Sequence, residues 1–150
     1  GLNLGRAVTA DEIKAWDISI PPSGAGLPPG SGSVQQGAAV YAAKCQACHG
    51  ASGEGKPVVA LVGGQGTLAS DDPIRTVGSY WPYATTLFDY VRRAMPTTAP
   101  KSLTDDEVYA VSAYLLQLNG IISKETVLNA QTLPQVKMPN RNGFTDYSGK

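Results

Sequence analysis

The pentapeptide Cys45-Gln46-Ala47-Cys48-His49 constrains this chain more than any other feature, because it holds both cysteines and the single histidine among 150 residues. Three such residues cannot make a four-ligand zinc site of the usual Cys/His kind, and a disulfide framework stops at one bridge. Metal or redox chemistry therefore has to be concentrated at this one place. The length suits a single domain with a modest core.

Two chemistries use Cys-x-x-Cys at a helix. Dithiol oxidoreductases put it at a helix N-terminus after a strand of a βαβ unit, where the dipole lowers the thiol pKa. Here Val34, Ala38, Tyr41 and Cys45 recur at helical spacing behind Ser33, a good cap, so the spacing predicts a helix over 34–46 that ends in the cysteines. Parallel-strand signals are absent. A lone disulfide or an incidental metal site would leave His49 without a purpose. The contiguous Cys-x-x-Cys-His is the attachment signature of c-type haem. Thiols three residues apart on one turn can add to the two vinyl groups of one porphyrin edge, and the next residue brings its imidazole under the iron. The anchored macrocycle also supplies apolar surface to a chain with only 42% apolar residues.

With His49 the only histidine, two-histidine ligation within the chain is impossible. The sixth ligand is then expected to be a methionine, and there are two, Met95 and Met138, each followed by proline. Met95 lies between two helical patterns, where Met-Pro suits a rigid loop presenting a thioether; Met138 in the tail is the second choice. An iron filled on both sides has no vacant position, which leaves one-electron transfer. A soft thioether and burial both favour the ferrous state and raise the potential. For the haem propionates, Trp81 or Tyr80 is expected to donate, with Arg75 or Arg93 nearby.

The rest of the chain frames that site. Thr9-Ala10-Asp11-Glu12 is a capping box opening a short helix that should end by Asp17, and Pro21–Gly32 excludes regular structure, as a strap would. Residues 50–85 are glycine-rich and irregular, the kind of long loop that wraps a ligand. Capping boxes at Thr86–Asp89 and Thr104–Glu107 predict two further helices, stopped by Met95-Pro96 and Asn119-Gly120. A weaker helical pattern covers 123–130, and 133–150 reads as a surface arm. The division is therefore 1–33 as a short helix and strap, 34–120 as the haem domain and 121–150 as a C-terminal extension. Twelve basic and twelve acidic residues cancel, so no global charge draws the chain to nucleic acid or to a membrane surface. No apolar stretch approaches the roughly 18 residues needed for membrane insertion as a span. Gly1–Lys14 carries no charged-then-apolar leader, so the chain reads as a mature protein or a fragment of one.

In this order, a helix ending in Cys-x-x-Cys-His, a looping middle, a Met-Pro loop and a long last helix, the chain resembles a class I cytochrome c. The resemblance implies an all-α fold, three to four core helices around one covalent haem c, with Gly37 and Tyr41 meeting the Ala113-Tyr114 turn where the first and last core helices cross. Trp16-Asp17-Ile18, Gly26–Gly32, Gly78–Leu87, Arg92–Pro96 and Met138–Arg141 are similar to the cytochrome subunits or electron acceptors of sulfite-oxidase-type molybdenum enzymes in bacterial sulfur oxidation. That closer likeness implies a periplasmic carrier, not itself an enzyme. It would take electrons singly from a molybdenum sulfite or sulfane dehydrogenase and pass them to a downstream cytochrome or terminal oxidase. Its working surface would be the haem edge near Cys45, Cys48 and the Met95 loop, ringed by Ala47, Ala51, Thr97 and Thr98. Two alternatives accompany this expectation: a fixed subunit, or one domain of a two-haem subunit, of such a dehydrogenase, and a haem enzyme or sensor with a labile sixth ligand.

Overall fold

The structure is a computed structural model that describes residues 4–147. Helix α1 (Ala10–Trp16) begins where the capping box puts it: the Thr9 hydroxyl accepts from the Glu12 N–H and the Glu12 carboxylate accepts from the Thr9 N–H. The strap that follows is tied down along its length. Ile20 is buried and its N–H donates to Asp89 Oδ2 at 2.9 Å, the Pro28 carbonyl accepts from the Tyr109 hydroxyl at 2.8 Å, and the Ser31 N–H donates to Asp106 Oδ1 at 2.7 Å.

Two helices make the centre. α2 (Val34–Lys44) starts at the Ser33–Gln36 box and α5 (Asp105–Leu118) at the Thr104–Glu107 box. They cross face to face at Gly37, where a Cβ would run into the Ala110 carbonyl and the Tyr114 side chain. Only a hydrogen side chain permits that approach. Tyr41 and Tyr114 pack beside it with ring centroids 5.3 Å apart, so the crossing uses Ala110 together with Tyr114 of the expected Ala113-Tyr114 turn. Lys44 Nζ reaches Glu107 Oε1 at 2.7 Å across the same joint. A short turn, α3 (Gln46–His49), follows α2 after a break at Cys45. Beneath α5 lies α4 (Ala84–Ala94), with Phe88 and Tyr109 rings 4.5 Å apart.

Three expectations are corrected. α4 begins two residues before Thr86 and has no side-chain cap. The box fails because Asp89 is committed elsewhere, accepting from the Ile20 N–H and from Arg93. The helical pattern at 123–130 is not a helix. Val127–Asn129 forms a strand, β2, antiparallel to β1 (Ser31–Ser33), with Gly32 opposite Leu128. Pairing with the strap turns Leu128 into the core, and an otherwise all-α fold gains a two-stranded ribbon. The C-terminal extension is not a surface arm over its first part, since Leu133, Val136 and Met138 are all buried in the main core.

Replacing Gly37 with Ala should destabilise the fold by about 1–3 kcal/mol, read from urea unfolding, because overpacking at a backbone contact cannot relax by rotamer change alone. The Glu107 carboxyl is held below its usual range by the Lys44 ammonium and then by the Thr104 N–H. A depressed pKa gives stability that is full above about 4.5, the ordinary value, and is lost as pH falls through the folded-state value. Glu107→Gln should therefore make stability less dependent on pH in the acid range, read as unfolding midpoints followed downward from neutral pH.

Candidate haem site

The end of α2 delivers both thiols to one place. Cys45 closes α2 and opens α3, where its carbonyl accepts from the N–H groups of Cys48 at 3.1 Å and His49 at 3.0 Å. Both cysteines are free; Cys45 is half-buried against the core and Cys48 is exposed. Burial pushes the Cys45 thiol up to about 11, outweighing the pull of Lys44. A dithiol oxidoreductase needs the opposite shift, so the local electrostatics disfavour thiol–disulfide chemistry.

His49 is aimed by the loop after it. Its Nδ1 lies 3.2 Å from the Val59 carbonyl oxygen, which can only accept, so Nδ1 carries the proton and the Nε2 lone pair is left for a metal. The loop returns to this point through Gly55 N–H to the His49 carbonyl at 2.9 Å and Val58 N–H to the Cys48 carbonyl at 3.2 Å. Gly55 has φ 80, and a Cβ there would collide with the Ala60 backbone. The far end of the loop is pinned by Asn119, which accepts from the Gly63 N–H at 3.1 Å and donates to the Leu61 carbonyl at 3.1 Å. Sequence reasoning missed both Val59, which acts through its backbone, and Asn119, whose place beside Gly120 signals only a helix stop.

Met95 closes α4, half-buried at the edge of the core, with its N–H on the Val91 carbonyl at 3.0 Å. The loop it begins is braced by Arg92 Nε to Asp105 Oδ1 at 3.1 Å, which joins the end of α4 to the start of α5. Met138, by contrast, is 3% exposed among core side chains. Trp81 lies at the core edge too, edge-on to Tyr90 at 5.6 Å.

The two arginines differ. Arg93 bonds Asp89 through Nε at 2.9 Å and Nη2 at 2.8 Å and reaches the Ser19 hydroxyl, on the strap side of α4. Arg75 stacks over the Tyr80 ring at 5.7 Å and, among the described residues, meets no carboxylate. Two buried hydroxyls, Thr85 and Ser112, are without a partner among the described residues. Half-covered apolar groups at Cys45, Leu61, Trp81 and Met95, an imidazole nitrogen left for a metal, two free thiols and an Arg75 guanidinium with no paired carboxylate among the described residues fit a planar apolar group that carries carboxylates and a metal. The residues present fit a haem.

The fold and this site define a c-type cytochrome, and the chain belongs to the cytochrome c family, whose model matches residues 34–119. Members of that family carry haem c covalently. The chain is similar in structure to a chain of the sulfane dehydrogenase SoxCD from Paracoccus pantotrophus, with 43% identity and a TM-score of 0.91 over 99% of this chain and 73% of that one. A search of curated proteins finds no match. No helix among the described residues is long and apolar enough to cross a membrane.

Met95→Ala should abolish the spectrum of a thioether-ligated low-spin haem. Met138→Ala should spare that spectrum while costing about 2–5 kcal/mol of stability as a core cavity; the reverse pattern would make Met138 the ligand. In the haem-free chain, iodoacetamide should label Cys48 well before Cys45 at mildly alkaline pH, followed by peptide mass analysis.

Proposed function

We propose that this chain is a one-haem, periplasmic, single-electron carrier, bound as the cytochrome subunit of a molybdenum dehydrogenase that oxidises sulfane sulfur. The observation that carries the haem reading is the Nδ1–H of His49 on the Val59 carbonyl, which leaves Nε2 for a metal on the same turn as two free thiols, the half-buried Cys45 and the exposed Cys48. When bound, the haem supplies reversible one-electron chemistry at its iron. Cys45 and Cys48 would hold the macrocycle, His49 and Met95 would ligate its iron and leave no position for a substrate, and the Val59 carbonyl keeps the imidazole in one tautomer. Arg75, which pairs with no carboxylate among the described residues and has Tyr80 beneath its guanidinium, and Trp81 would face the propionates. Arg93, held by Asp89, instead fastens the strap.

The dehydrogenase assignment is supported by a likeness that runs through the strap and the extension as well as the haem domain. It favours a bound subunit over a free acceptor, because both arms are retained in a chain of a sulfane dehydrogenase. Oxidation at sulfur releases electrons in pairs, and a carrier with no open coordination position accepts them one at a time and yields each to a downstream cytochrome or terminal oxidase. Sulfite is the other substrate class for the partner.

Expressed in a host competent for cytochrome maturation, the protein should be coloured, contain one haem per chain by pyridine haemochrome assay, and refuse carbon monoxide and cyanide in its native state. It should also copurify with a molybdenum protein from its native cells. A colourless product ends the haem reading, rapid binding of either ligand points to a haem enzyme or sensor, and elution alone makes it a free carrier.

A further inference from the structure

The segment after Met138 folds back onto a single loop. Met138 anchors it in the core, and the chain then turns tightly, with the Arg141 N–H on the Met138 carbonyl at 3.2 Å and the Gly143 N–H on the Asn140 carbonyl at 3.0 Å. From this turn three side chains reach the residues on either side of Trp81. Asn140 Nδ2 donates to the Tyr80 carbonyl at 2.7 Å, the Arg141 guanidinium lies 5.2 Å above the Tyr83 ring, and Phe144 meets Tyr80 edge-on at 5.2 Å. Tyr80 thus has Arg75 at 5.7 Å as one neighbour and Phe144 at 5.2 Å as another.

We propose that Asn140, Arg141 and Phe144 are positioning residues for electron transfer: they clamp the Tyr80–Tyr83 loop so that Trp81 and Arg75 stay against the propionate edge, and they thereby raise the reduction potential. This rests on the haem reading above. A clamped loop keeps water from that edge and keeps a guanidinium beside it. Both disfavour the additional positive charge of the ferric state. Releasing the loop admits water, lets Arg75 wander, and stabilises Fe(III). The three contacts act through one loop, so their effects should be less than additive.

The test uses the holoprotein and the substitutions Asn140→Ala, Phe144→Ala and Phe144→Tyr. Phe144 is 51% exposed, so its truncation excavates no core. Redox titration should find lower midpoints for Asn140→Ala and Phe144→Ala, with the thioether-ligated spectrum intact, and an unchanged midpoint for Phe144→Tyr, which keeps the ring contact. The double variant should fall by less than the sum of the single shifts. Amide hydrogen exchange at Tyr80, Trp81 and Tyr83 should quicken in both alanine variants. Wild-type midpoints in both alanine variants overturn the clamp and leave the haem reading standing. A wild-type chain without haem ends that reading instead, and the exchange measurement, made on the haem-free chain, still decides whether the tail holds the loop.

Discussion

The bare backbone contact between Gly37 and the Ala110 carbonyl is the constraint on which the remainder depends. It brings α2 down onto α5, and because α2 ends in Cys45, it fixes where the cysteine-bearing turn emerges relative to the last helix. Everything on that edge is then measured from α5: Asn119 at its C-terminal end holds the loop that aims His49, and Asp105 at its N-terminal end braces the loop that begins with Met95. One helix therefore registers both axial candidates. Coupling of this kind needs no contact between the two ligands' loops, only a rigid rod to which each is tied.

The parts of the fold legible in sequence are those decided locally. The boxes at Thr9 and Thr104 and the cap at Ser33 all form, Ser33 gaining a reciprocal bond with Gln36 that its reading as a simple cap did not include. The fourth, at Thr86, does not, because a distant backbone N–H at Ile20 takes the Asp89 carboxylate; a tertiary partner wins over a local one. The β2 strand was illegible for the same reason: three residues acquire a conformation only by pairing with a strap from the other end of the chain. In the tail, prolines and glycines masked the burial of Leu133, Val136 and Met138.

At the site, the residues expected to hold the haem, Cys45, Cys48 and His49, stand in one pentapeptide, and the structure keeps them on one turn. The groups that orient them could not be read directly. Val59 contributes a carbonyl, which no residue identity encodes, and the difference between Arg75 and Arg93 lies in which of them already has a carboxylate, a matter of folding rather than composition. Sequence supplies the chemistry of such a centre more readily than its second layer.

The β1–β2 ribbon has a further consequence for how the molecule is made. Its two strands come from opposite ends of the chain, and the groove over Gly37 stays open until α5 has been synthesised. Contacts so distant in sequence form late, after the loop-closure entropy has been met. Until those contacts form, α2 lacks the helix it packs against, and the Cys-x-x-Cys-His turn at its end has no fixed place relative to the last helix.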